Sequence, residues 1–201
     1  MERVPLAPPQ RDGPVSLQAA LVRRRSVRDF EDRPVPLDEL GQILWAAQGV
    51  VDPAGRRTAP SAGATYPLEL YAVTGRVIGL EPGVYRYLPE AHALLAVRPG
   101  DLRRELAACA LEQQFIARTA FALVVAADFA RTTARYGRRG IRYVWMEAGH
   151  VAQNICLQGA ALGLGSVVVG AFDDEAVRRL LGAREDPLCV VALGHEAPGS
   201  P

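Results

Sequence analysis

The sequence predicts an α+β protein, and three observations carry that prediction. Segments with apolar residues at helical spacing are mixed with short runs of alternating or continuous β-branched residues. Two of those runs are joined by a turn in the manner of a hairpin. The order is not the regular strand–helix–strand succession of a parallel sheet. Size bounds the domain count: 201 residues, 49% of them hydrophobic, suit one domain with a substantial core at roughly 100–200 residues per domain, and no internal repeat divides the chain.

Residues 1–15 hold Pro5, Pro8, Pro9 and Pro14 and little pattern, which predicts an extended arm leading into a single domain over 16–201. Ser16 is a helix cap for residues 17–24, with Leu17, Ala20 and Leu21 on one face. Pro36 and Leu37 open a strongly amphipathic helix that Gly49 ends. A loop over 52–67 gives way to the strand LELYAVT, a short strand over 77–80, and an antiparallel pair, GVYRYLPE and HALLAVRPG, about a turn at Pro89-Glu90. A helix over 102–118 and the apolar strand AFALVVAAD follow, and residues 130–140 read as a basic polar connection. The stretch 142–164 alternates small and large apolar residues without proline, the pattern of a central helix buried on most sides. Gly163 and Gly165 supply its stop, SVVV reads as a buried strand, and Gly170-Ala171 as a turn able to present backbone N–H groups. A short helix, EAVRRLLG, and a last strand, PLCVVALGH, complete the order.

Composition excludes several classes. A net charge of +1, from 23 basic and 22 acidic residues, creates no field drawing the chain to nucleic acid or membrane. No apolar run approaches the roughly 20 residues of a membrane span, and the first residues lack the apolar core of a secretion signal. Cys109, Cys156 and Cys189 are scattered in apolar surroundings with no metal-ligand spacing, which predicts buried thiols, no metal and a cytoplasmic location. Phosphate-loop, dinucleotide, zinc-protease and serine-hydrolase motifs are absent.

Four places carry candidate chemistry. Arg24, Arg25 and Arg28 around Ser26 offer guanidinium forks and a hydroxyl suited to phosphate oxygens, or else a solvated basic turn paired with Asp29, Glu31 and Asp32. Residues 59–67, APSAGATYP, allow a close backbone approach to a flat ligand, as an ordinary surface loop also would. Arg142-Tyr143, one turn before Glu147, places a phenol beside a guanidinium, either for proton handling or as an amphipathic helix start. Gln113 and Gln114 could meet a heterocycle edge or water, and His150, inside the central helix, reads as a satisfied core histidine.

Taken in order, RRSVRDF, APSAGATYPLELY, GVYRY, RYVWMEAGHVAQNICLQGAALGLGS, VVVGAFDD and PLCVVALGH resemble the nitroreductase-like flavoproteins, and most closely their SagB-type dehydrogenase branch. The resemblance covers about 16–194. It implies an α/β/α sandwich with a central antiparallel sheet, an obligate homodimer, and FMN at the subunit interface, with NAD(P)H as an electron donor in many members. By matching position, it implies that Arg24, Arg25 and Ser26 hold the FMN phosphate and Arg28 the ribityl chain or O2 edge. Pro60, Ser61, Ala62 and Gly63 come from the partner subunit, Gln113 meets the pyrimidine edge, and Val168, Val169, Gly170 and Ala171 lie against the ring with an N–H toward N5. An arginine near N1–O2 stabilises the charge of reduced flavin.

Two departures from the family pattern stand out. Only HEAPGSP follows Gly194, where many members carry a basic segment that completes the phosphate site, so Arg138 and Arg139 become further candidates. Arg142-Tyr143 occupies the place of the Lys-Tyr pair of azole-forming relatives, and arginine holds its proton too firmly for a lysine-like base. The expected activity is movement of electrons between a small-molecule or modified-peptide substrate and a second donor or acceptor. NAD(P)H-driven nitro or quinone reduction and a non-catalytic flavin-binding partner subunit are the alternatives.

Overall fold

The computed structural model describes residues 2–199; Met1 of the arm and Ser200 and Pro201 of the domain lie outside them. One antiparallel sheet of seven strands carries the fold, in the order β1-β6-β5-β3-β7-β9-β8. These are β1 (Arg3–Pro5), β3 (Leu68–Thr74), β5 (Gly83–Leu88), β6 (Ala93–Pro99), β7 (Phe121–Ala127), β8 (Gly165–Val169) and β9 (Asp186–Gly194). A separate parallel pair joins β2 (Val35–Pro36) to β4 (Val77–Ile78).

Why the sheet needs helices on both faces is visible in β7, whose seven residues are all buried. Phe121, Leu123, Val125 and Ala127 enter one core, and Ala122, Val124 and Ala126 the other, by the two-residue period of a strand. The helices α2 (Leu37–Gln48) and α6 (Arg139–Ala161) cover the first face through Leu40, Ile43, Leu44, Val144, Val151 and Ile155. On the second face stand α3 (Arg103–Cys109), α4 (Phe115–Arg118) and α7 (Asp174–Leu181), bringing Leu106, Ile116, Val177 and Leu181. The result is the expected α/β/α sandwich.

Local chemistry sets the ends. Ser16 caps α1 (Leu17–Arg23) by accepting from the Ala19 N–H at 3.1 Å. Asp128 and Asp173 do the same for α5 (Phe129–Tyr136) and α7, and Gly182, at φ 63°, closes α7 in the left-handed region.

Three expectations are corrected, while the extended arm gains a partner: residues 3–5 pair with Ala93–Leu95 and extend the sheet. The helix read over 102–118 is broken into α3 and α4, because Leu111 and Glu112 take φ values of 54° and 59°, which no right-handed helix accommodates. Residues 130–140 are not a connection but hold most of α5. Finally, α6 begins at Arg139 and is exposed along a stripe that includes Ile141, Trp145, Met146 and His150, rather than buried on most sides.

Candidate functional site

Beyond α1, the chain is stitched to the start of β8. The Val27 N–H donates to the Ser166 carbonyl at 2.9 Å, and Ser26 and Ser166 form an isolated parallel bridge. The seam requires glycine at 165, since a Cβ there would stand 2.9 Å from the Val27 side chain. With Val27 fixed inward, Arg24 and Arg25 flank a cleft of about 280 Å³ floored by Ala160, Gly163, Gly165 and Ser166. Glu196 closes one side and forms an ion pair with Arg25. Ser26 itself is exposed, and the hydroxyl residue lining the cleft is the buried Ser166, which the sequence did not single out because it opens an apolar run. Arg28 is exposed beyond Val27 and does not line the cleft.

At its other end β8 opens onto the surface. Val168 is 46% exposed, although it sits in a continuous valine run, at the end of the edge strand β8 beyond the Ser26–Ser166 bridge. Val169 faces inward, while Gly170 and Ala171 are exposed, and a Cβ on Gly170 would find nothing within 4 Å. The Gln113 amide nitrogen donates to the Ala171 carbonyl at 3.0 Å and to that of Ala110 at 2.8 Å. Four expected residues, Gln113, Val168, Gly170 and Ala171, are thus neighbours. At about 3.3 Å per strand residue, Gly170 lies roughly 13 Å from Ser166. A cationic cleft and an open apolar shelf therefore stand at the two ends of one strand.

The turn 60–66 makes a second locality. Gly63, Ala64 and Tyr66 take φ values of 60°, 52° and 44°. Such a conformation costs roughly 1–3 kcal/mol at each non-glycine residue. The surroundings hold it there. Ser61 Oγ accepts from the Tyr66 N–H at 3.0 Å, the Thr65 and Thr132 hydroxyls meet at 2.8 Å, and Arg135 and Arg131 donate to the carbonyls of Gly63 and Tyr66. The Arg57 guanidinium lies 4.4 Å above the Tyr66 ring.

Between this turn and α6 lies a mostly apolar cavity of about 240 Å³, lined by Pro60, Ser61, Ala62, Tyr143, Met146, Glu147 and His150. Glu147 is 3% exposed and its Oε1 has no hydrogen-bond partner. Burial pushes its carboxyl above the ordinary range, against the opposing pull of Ser61, Gln48 and Arg57. His150 is corrected here: it is exposed at the cavity wall, not a core histidine.

Arg142 and Tyr143 do not act on one surface. Tyr143 lines the Glu147 cavity and packs edge-on against Tyr136, with centroids 5.2 Å apart. Arg142 lies in an open groove with Arg138, Arg139 and Trp145. Successive helix residues point about 100° apart, so adjacency in sequence separates them in space. The Glu147 cavity and the arginine cleft are also far apart: from Glu147 to Ala160, α6 runs roughly 20 Å at about 1.5 Å per residue.

The comparisons agree with this architecture. Residues 21–195 match the nitroreductase family. The chain belongs to that family. It is 48% identical to a protein of Methanocaldococcus jannaschii named as a nitroreductase, over 90% of this chain and 92% of that one. A crystal structure from Ralstonia eutropha, likewise named as a nitroreductase, superposes with a TM-score of 0.84 at 30% identity, covering 97% of this chain and 90% of that one. The microcin B17-processing protein McbC of Escherichia coli is 32% identical over 70% of this chain, which spans 54% of McbC. The E. coli microcin synthetase McbBCD complex contains a chain that superposes with a TM-score of 0.77 at 27% identity, covering 87% of this chain and 70% of that one. The SagB-like resemblance thus extends to a named member of a peptide-processing system. Among the described residues no helix is long and apolar enough to cross a membrane.

Proposed function

We propose that this nitroreductase-family protein is an FMN-dependent oxidoreductase that works as a homodimer. The observation that carries the reading is β8, with guanidiniums and Ser166 at its start and the bare Val168–Ala171 shelf at its end. The donor set at the start suits a phosphate, because guanidinium forks bind its oxygens bidentately. The exposed valine and the unobstructed Gly170 suit a flat apolar ring. Gln113 spends its amide hydrogens on two backbone carbonyls, which leaves its amide oxygen to accept from a ring N–H. Bound FMN would supply a carrier that takes electrons from a donor and passes them to an acceptor. The protein's part is to anchor the phosphate through Arg24, Arg25 and Ser166, to fix ring orientation through Gln113 and the 168–171 backbone, and to bring Arg28 to the ribityl chain or O2 edge.

The homodimer accounts for two otherwise unexplained features. The turn holding Pro60, Ser61, Ala62 and Gly63 lies too far along α6 to serve the arginine cleft of its own chain, so a second copy would supply it. Exposed apolar side chains on α1 (Leu17, Leu21, Val22) and α6 (Ile141, Trp145, Met146) provide the surface for that copy.

The separation of Arg142 from Tyr143 favours NAD(P)H-driven reduction of a nitro compound or quinone over azoline dehydrogenation, since no paired base faces one substrate. Steady-state assays with NADH or NADPH and either acceptor test this: turnover is expected. A yellow protein that neither nucleotide reduces would instead be a flavin-binding partner subunit, and a colourless one that takes up no FMN would end the flavin reading. The β8 seam has its own test. Gly165→Ala is expected to displace Val27 and Arg24 and weaken FMN retention about tenfold. Unchanged FMN affinity by titration would separate the seam from the cofactor.

A further inference from the structure

The segment after Gly194 reaches the arginine cleft, and it brings the wrong charge for an anion site. Arg23, Arg24 and Arg25 line the cleft beside α1, and Glu196 is the single acid among its described lining residues. The backbone sets its place. Phe30 and Glu196 form an antiparallel bridge, the Glu31 N–H donates to the His195 carbonyl at 3.0 Å, and the Ala197 N–H donates to the Asp29 carbonyl at 3.0 Å. The other side of this pairing is rooted in the core by Val27 and Phe30, both buried. The tail is therefore fastened along residues 29–31, and it delivers a carboxylate to guanidiniums that a phosphate would use. That carboxylate forms an ion pair with Arg25.

The pair is built to open. Its side chains are 46% and 30% exposed, so water screens their attraction, and the carboxylate can turn outward without any movement of the backbone. A phosphate, with close to two charges and three acceptor oxygens, outbids one carboxylate for a guanidinium fork. We propose that Glu196 is a built-in competitor for the phosphate site: its carboxylate claims Arg25 and has to be displaced by the incoming phosphate of FMN. The displacement costs affinity twice. The ion pair is lost, and the carboxylate, tethered by residues 195–197, stays near the bound anion and repels it. FMN is thus held less tightly than the arginines alone would hold it, and the side chain at 196 sets by how much. This deepens the phosphate reading of the cleft and rests on it.

Equilibrium titration of the flavin-stripped chain with FMN and with riboflavin tests the assignment, because the two ligands share the ring and differ in the phosphate. Glu196→Gln keeps the shape and removes the charge. It is expected to tighten FMN about tenfold, the order for releasing one exposed ion pair and removing one like charge, and to leave riboflavin unchanged. In an Arg25→Ala background the gain from Glu196→Gln is expected to shrink to a few-fold, since only the repulsion remains to be relieved. Unchanged or weaker FMN binding in Glu196→Gln would overturn the proposal. So would an equal gain for riboflavin, which would place the effect away from the phosphate, or a gain fully retained without Arg25. Failure of the cleft reading itself looks different: the Arg24→Ala, Arg25→Ala double variant would bind FMN as the wild type does, and the competitor would fall with the site.

Discussion

Arg24→Ala combined with Arg25→Ala is expected to weaken FMN binding by about 100-fold or more while the protein stays folded. Each guanidinium facing a phosphate contributes a charge-assisted hydrogen bond worth roughly 1.5–3 kcal/mol, and two lost together exceed about 3 kcal/mol. Stability should hardly move. Arg25 is exposed, its ion pair with Glu196 is of the surface kind, worth about 0–1 kcal/mol, and neither arginine enters the core. Equilibrium titration of apoprotein with FMN, beside a thermal melt, reads both quantities. Arg28→Ala, outside the cleft and removing only a contact to the ribityl chain or O2 edge, is expected to cost less than the pair. Wild-type affinity in the double variant would remove the phosphate from this cleft and direct the search to the open groove of Arg138, Arg139 and Arg142.

The sheet was legible because strands buried on both faces must be apolar throughout, and FALVVAA and PLCVVALG are. The hairpin of β5 and β6 was legible from its turn. The break at Leu111–Glu112 was not, since two non-glycine residues with positive φ leave no mark in composition. Helix α5 was hidden by its arginines, although Asp128 capped it visibly. The site divided along the same line. Arginines around Ser26 announce phosphate chemistry wherever they fold, but Ser166 joins them only through the β8 seam. Glu147 acquires its character from burial, which pushes its carboxyl up against the opposing pull of Ser61 and Gln48, both distant in sequence, and spacing along one helix cannot report what packs on it. Arg142 and Tyr143 show the converse, neighbours in the chain that the helix turns apart.

Val22→Glu together with Trp145→Glu is expected to give a folded monomer that has lost its FMN. Val22 is 86% exposed and Trp145 51%, so neither charge disturbs the core of a single chain. At an interface the balance reverses: each carboxylate would be stripped of water without a partner, a cost of several kcal/mol per ion. A stable dimer buries about 1,600 Å² or more, and a large aromatic such as Trp145 is the residue type on which such interfaces most depend. Light scattering should show the wild type as a dimer and the variant as a monomer, with helix content unchanged by circular dichroism. The flavin result carries the argument further. A monomer keeps Arg24, Arg25, Gln113 and the whole of β8, so a site built from one chain would hold FMN unimpaired. A site that borrows Pro60–Gly63 from a second copy loses half its enclosure, and the strained turn, clamped in its own chain by Ser61, Thr132 and Arg135, has no cofactor left to meet. A monomer retaining wild-type FMN affinity would therefore refute the shared site while leaving the arginine cleft standing, and a wild type that is itself monomeric would refute the dimer.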